Sequence, residues 1–243
     1  PFVASDARAV AKAVDEIARE FPAMNNEFKA QNQVYLATGV VLDTYQVFCS
    51  SEVSSVADLE GKKIAGAGLN LRYLEGIKDA AGVRGGLTEF YNMGQTGRVD
   101  CAMLWPEAAK TFKIAEVAPY MIKADLGAVN SKTITVNADY WAGLPDEVKE
   151  VLQAVAIDYR DHVAGIAMDR AEASRAAYVE QGGTVVEISD EDRAAWANAM
   201  PNIAQEWAAT LNGNGEAGSE MLAAYMGKLI DAGFTPVRDW TAE

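Results

Sequence analysis

The sequence predicts an α/β protein with two lobes, and three observations predict it. Residues 54–100 read as a compact βαβ unit in which the Gly-rich turn Gly66-Ala67-Gly68 opens directly onto a helix. Half of the 243 residues are apolar, enough for a substantial core in one large domain or two small ones. The helical pattern over residues 145–181 is almost uninterrupted, longer than one small lobe needs, so this helix is expected to pass from one lobe to the other.

The remaining elements follow in order. Ser5 and Asp6 precede apolar residues at helical spacing, Val10, Ala13, Val14 and Ile17, which predict a helix over 9–21 that Pro22 stops. A second short helix covers 24–31. Residues 34–42 and 44–48 are β-branched and aromatic, one long extended segment or two strands joined near Asp43. Within the βαβ region, 56–61 is a turn, 62–65 a strand, 69–80 a helix, 89–94 another helix and 98–104 a strand. Residues 111–118 are expected to be helical, and 120–125 and 132–137 to be strands. Asp146 and Glu147 suit the positive end of the long helix, and Gly182-Gly183 closes it. A strand over 184–188 follows. Ser189-Asp190-Glu191-Asp192 then caps a helix over 193–211, and the last helix covers 219–232.

Composition excludes several classes of partner. The formal charge is -14, with 35 acidic against 21 basic residues and no dense Lys/Arg cluster, so nucleic acid and anionic membrane surfaces are poor partners. No apolar run reaches the ~18 residues of a spanning helix, so no direct membrane insertion is expected, and no signal-peptide pattern opens the sequence. Cys49 and Cys101 lack metal-ligand spacing; two small buried thiols are expected, with pairing as the alternative. His162, flanked by Asp158 and Asp161 without a nucleophile motif, is expected on the surface. Trp196, Trp207 and Tyr225 fall at helical spacings and are expected in the core.

The chemistry concentrates at the glycine turn. Backbone amides at the start of the following helix lack partners and sit at the positive end of its dipole, an anion site to which Asn70 and Arg72 add donors. The alternative is that the glycines merely permit a tight turn. It is no nucleotide motif, since GK[ST] is absent and Leu71 stands where a third glycine would be. No cofactor and no metal are expected. Trp105, just past the strand ending near Leu104, lies where open α/β sheets hold ligands and is a candidate wall. HExxH, GxSxG and Cys-His groupings do not occur, so no catalytic residues are assigned.

An ordered set of segments resembles one family. It comprises Pro1-Phe2 before a helix, then Val53-Ser54-Ser55-Val56-Ala57-Asp58-Leu59-Glu60-Gly61-Lys62-Lys63-Ile64, and Gln95-Thr96-Gly97-Arg98-Val99-Asp100. Glu116-Val117-Ala118-Pro119-Tyr120, Val136-Asn137-Ala138-Asp139-Tyr140-Trp141 and Leu144-Pro145-Asp146-Glu147-Val148 continue it. The set is similar to the periplasmic solute-binding subunit of TRAP transporters, DctP type, over essentially the whole chain. The resemblance implies a periplasmic-binding-protein-like fold, two α/β lobes with a β-strand hinge and a lobe-crossing helix, that closes over an organic acid in the periplasm and presents it to TRAP membrane permease subunits. It implies lobe I in 1–43 and about 130–169, and lobe II with C-terminal helices in 44–129 and about 170–243. It also implies opening βα units ahead of Pro1-Phe2, so that the sequence is N-terminally incomplete, with one wall of the site missing and a sheet edge exposed.

Carried over residue by residue, the family's ligand-clamping arginine falls on Ala65, and a second arginine of sialic-acid-binding relatives falls near Tyr45. Other lining positions fall on Leu87, Leu104 and Asp125, with Asn130 and Ser131 near the second hinge crossing. The expected ligand is therefore a carboxylate with an apolar or aromatic body, its charge met between Gly68 and Asn70 and by Arg72. The rival is a lyase or deaminase on a similar frame, for which Asp125 and Glu89 are the carboxylates to watch; a third reading is a receptor's sensing domain.

Overall fold

The computed structural model describes residues 1–242 and, of Ser131, the backbone alone. Helix α1 (Ala7–Glu20) begins at Asp6, whose carboxylate accepts from the amides of Arg8 and Ala9. Pro22 both ends this run and opens α2 (Pro22–Ala30), because a first-turn residue needs no amide donor. The next two strands are separate. β1 (Gln33–Leu42) pairs with β7 (Val129–Asn137) in a two-stranded antiparallel ribbon, whereas β2 (Gln46–Cys49) enters a six-stranded sheet.

That sheet is completed by β3 (Lys63–Gly66), β4 (Ala81–Arg84), β5 (Cys101–Leu104), β6 (Tyr120–Lys123) and β8 (Thr184–Glu187), in the order β4-β3-β5-β2-β6-β8. Helices α3 (Leu87–Gln95) and α4 (Pro106–Thr111) lie between its strands in sequence. After the ribbon come α5 (Ala138–Ala142) and the 35-residue α6 (Asp146–Glu180). The chain ends with α7 (Asp190–Ala199), α8 (Ile203–Gly213) and α9 (Gly218–Asp231).

Alternation along the strands divides the core into two layers. Val47, Cys49, Ile64, Met103 and Ile122 face Trp196, Ala208 and Leu222 of the C-terminal helices. Phe48, Ala65, Ala102, Leu104 and Met121 face Phe90, Met93, Ala108 and Tyr178 on the other side. The ribbon instead leans on α1, α2 and α6 and encloses a polar group. Asp15, 1% exposed, accepts from Arg19 and Arg160 at 2.8 Å each, from the Tyr35 hydroxyl at 2.8 Å and from the Thr38 amide at 3.2 Å.

Helix α6 belongs to both bodies, as its length predicts. Ala156 packs with Leu36 and Ala37 of the ribbon, while Tyr178, near the other end, packs on the sheet and donates to the Ala118 carbonyl at 2.9 Å. Gly183 closes the turn because a Cβ there would strike the Tyr178 ring. Both ends of the 54–100 motif also hold structure. Asp58 accepts from the Ser54 and Ser55 amides at 2.7 and 3.0 Å, and Asp100 from the Lys63 amide at 2.7 Å.

Several expectations are corrected. Residues 69–80 are not one α-helix: a 3-10 helix over Gly68–Gly76 hands over to β4. Leu71 of that helix lies so close to the sheet that a Cβ at Gly66 would come within 2.7 Å of it, and one at Gly82 within 3.1 Å. The helix expected over 193–211 breaks at Pro201, which has no amide to continue it, and Asn202 caps α8 by accepting from the Gln205 amide. Trp196 is buried, but Trp207 is 46% exposed. Cys49 and Cys101 are paired in a disulfide, because antiparallel β2 and β5 set them directly opposite each other on the same buried face. His162 is exposed on α6, as expected.

Candidate functional site

Strand direction builds the site. β3 is parallel to β4 and β5, β8 is parallel to β6, and β2 alone runs the other way. One end of the sheet therefore collects the carboxyl ends of β3, β4, β5, β6 and β8, together with Tyr45 and Gln46 at the start of β2. Open α/β sheets receive ligands outside such ends.

Most of the expected residues meet on this rim. Trp105 follows β5 as the residue before α4, half-buried, with its ring centroid 5.5 Å from that of Tyr45 and the planes tilted by 49°. Burial pushes the Tyr45 phenol above its ordinary pKa, and the Asn70 side chain beside it pulls the other way. Gly68 has φ +59, and nothing lies within 4 Å of where its Cβ would be, so the rim is open there. Leu69 is 82% exposed next to it, and Leu87 opens α3 half-buried. Asp125, past β6, accepts from the Gln46 side-chain amide at 2.7 Å and donates its own amide to the Gln46 side-chain oxygen at 2.9 Å.

The other expected residues stand differently. Ala65 and Leu104 are fully buried in the layer beneath it. Arg72 is held by Glu75 at 2.9 Å and by Glu206 at 2.6 Å, and these carboxylates, Glu75 first, raise its pKa. Ser131 lies on β7 of the ribbon; its side chain is outside the described residues.

The sequence reading missed a charge pair where the chain passes from β1 to β2. Asp43 is 3% exposed; its Oδ2 lies 3.4 Å from Arg175 Nη1, and its Oδ1 has no partner among the described residues. Burial pushes this carboxyl up to about 6, against the Thr44 amide and Arg175, with Asp125 and Glu107 adding to the rise. The only sequence signal was an acidic residue between two strand patterns.

Lys123 at the end of β6 sits 3.0 Å from Glu187 and 3.8 Å from Asp125, so the β6–β8 side of the rim is acidic. The two carboxylates watched for enzyme chemistry are each engaged: Glu89 accepts from the Gly86 amide at 2.6 Å, and Asp125 holds Gln46. Glu89 sits on α3 just past β4, and β4 and β6 are four strand spacings apart, about 19 Å. The rim offers an aromatic wall, open backbone and hydrogen-bond donors, which suit holding a molecule.

Comparison with known proteins agrees with this architecture. Residues 1–210 match the family described as bacterial extracellular solute-binding protein, family 7, DctP. The chain is 30% identical over 138 residues to the C4-dicarboxylate-binding periplasmic protein DctP of Rhodobacter capsulatus, covering 56% of this chain and 39% of that protein. The chain thus aligns with less than half the length of that relative. Among solved structures, a TRAP periplasmic solute-binding protein from Desulfovibrio salexigens DSM2638, in an open complex, superposes with a TM-score of 0.82 at 20% identity, covering 100% of this chain and 72% of that one. A TRAP solute-binding protein from Rhodoferax ferrireducens T118, in complex with copurified benzoate, gives 0.79 at 18% identity, covering 96% and 73%. With its two-lobe α/β fold and a family match over residues 1–210, the chain belongs to the DctP family of bacterial extracellular solute-binding proteins.

Proposed function

We propose that this protein captures an organic acid with an apolar or aromatic body outside the cytoplasm, in the periplasm, and delivers it to the membrane subunits of a TRAP-type permease. The observation that carries this is the Tyr45–Trp105 pair standing over the carboxyl ends of the sheet in a chain of this family. Benzoate in the Rhodoferax ferrireducens relative supports an aromatic acid, and a tilted aromatic pair is a suitable wall for one. Lobe I is assigned to 1–43 and about 130–169, and lobe II to 44–129 and about 170–243. The solute lies between them at the rim formed by Tyr45, Gly68, Asn70, Leu87, Trp105 and Asp125, and the closed form is what the permease receives.

Thermal-shift measurement against benzoate and succinate tests the proposal. A ligand at a hundred times its dissociation constant adds ~2.7 kcal/mol of stability, so benzoate is expected to raise the melting temperature more than succinate does. Tighter binding of succinate, measured by calorimetry, would sink the aromatic-acid assignment.

A further inference from the structure

Cations near the rim are few, and nearly all are engaged. Arg72 is bound by Glu75 and Glu206, and Arg193 donates to the carbonyls of Ala124 and Asp125 at 3.1 and 3.2 Å. Lys123 sits between Glu187 and Asp125, and Arg175 meets Asp43. Arg84 differs. It is the last residue of β4, it is exposed, and its side chain makes no hydrogen bond or salt bridge among the described residues.

Its position follows from the parallel register. Arg84 stands opposite Gly66, and the Gly85 amide donates to the Gly66 carbonyl at 3.2 Å, so pairing continues to the point where β3 turns into Gly68. By strand alternation Arg84 is on the same face as Gly82, the face on which Leu71 of the 3-10 helix lies. The arginine is thus one strand spacing from the open glycine turn, on the side of the helix that the turn starts.

We propose that Arg84 receives the carboxylate of the solute, and that the solute is a monoanion about one aromatic ring long. This rests on the organic-acid reading above and adds the charge and length of the acid. In the order β4-β3-β5, Arg84 and Trp105 are two strand spacings apart, about 10 Å. That separation is about the length of one ring bearing a carboxylate, with a guanidinium at one end and an indole at the other. The planar fork of arginine matches a carboxylate with two parallel hydrogen bonds, and Gly68 leaves open space beside the turn. A second carboxylate at the far end would meet Asp125, Glu187, Asp43 and Glu107, where Lys123 and Arg175 are already paired.

Isothermal titration with phenylacetate, its neutral analogue phenylacetamide and succinate decides the matter. The proteins are the unsubstituted chain, Arg84→Gln, Arg84→Lys and a control, Arg98→Gln, whose exposed arginine precedes β5 at the opposite end of the sheet. The expected result is a phenylacetate affinity roughly tenfold to a hundredfold lower in Arg84→Gln, as for loss of a charge-assisted bond. Phenylacetamide binding should not change, Arg84→Lys should recover part of the loss, and Arg98→Gln should match the unsubstituted chain. Unchanged phenylacetate affinity in Arg84→Gln overturns the assignment of Arg84 and leaves the organic-acid reading standing. Succinate binding tighter than phenylacetate overturns the monoanion. If the unsubstituted protein binds no carboxylate, the organic-acid reading falls and takes this assignment with it.

Discussion

The sheet body and the ribbon body are stabilised by different physics. The four inner strands of the sheet are buried between two apolar layers, and a disulfide joins two of them. Two strands cannot enclose such an interior. The ribbon has only small apolar clusters and gathers α1 and α6 around one carboxylate, while Val151, Val155 and Tyr159 of α6 stay about half exposed. An apolar interior is indifferent to pH, whereas one built around charge depends on keeping every partner in place.

The largest test of this contrast is chemical reduction. Cys49 and Cys101 are 52 positions apart, and loop-closure entropy for such a ring gives about 4 kcal/mol of unfolding free energy. Denaturant titration with and without reductant should show that loss, and hydrogen exchange should rise in β2 and β5 before it rises in β1 and β7. Equal midpoints in the two titrations would reject it.

Next in size is Asp15→Ala, which takes from Arg160, 9% exposed, its buried partner and leaves it only the exposed carboxylate of Asp161. Breaking a buried pair in this way costs about 3–5 kcal/mol, and the exchange pattern should reverse, with the ribbon loosening first. Burial by itself would raise the Asp15 carboxyl, but hydrogen bonds from Arg19 and Tyr35 outweigh it and hold the pKa below the ordinary value. Its stabilisation is therefore complete above pH ~4 and is lost as pH falls through the lower folded-state value. A stability curve that stays flat below pH 4 in the unsubstituted protein would contradict this.

Asp43, between the two bodies, has the opposite sign. Its folded value of about 6 lies above the unfolded one, so its contribution is complete below pH ~4 and is lost as pH rises through about 6. Asp43→Asn is expected to raise stability at pH 7 by about 1–2 kcal/mol and to flatten the curve between pH 4 and 6. Loss of stability at pH 7 would show that Arg175 needs the charge more than burial penalises it. The smallest effect belongs to Arg72→Ala, which should leave solute affinity unchanged in calorimetry because both flanking carboxylates already hold that guanidinium. A tenfold loss would return Arg72 to the site.

What the sequence revealed, and what it concealed, follows the range of the interactions. Helix α6 was legible within a residue at each end because its acidic first turn and closing glycines are local signals. β4 was hidden because Ala81-Gly82-Val83-Arg84 has a single β-branched residue and becomes a strand only by pairing with β3. The disulfide was open for the same reason, since only the β2–β5 register brings the thiols together. At the candidate site, the positions of the glycine turn and of Trp105 at strand ends were legible. That Arg72 is already engaged could not be read, because Glu206, which holds it, lies 134 positions away in the chain.

The place of β8 in the sheet has a consequence in time. This edge strand follows α6 in sequence yet pairs with β6, so that Lys123 meets Glu187 across 64 positions. The sheet cannot be finished until the whole long helix has been laid down, which makes this a high-contact-order folder expected in the millisecond-to-second range or slower. Until then the side of β6 that β8 will cover stays bare, and an unpaired edge is where strands of neighbouring chains attach. The β6 edge thus stays open to neighbouring chains until β8, beyond α6, has docked on it.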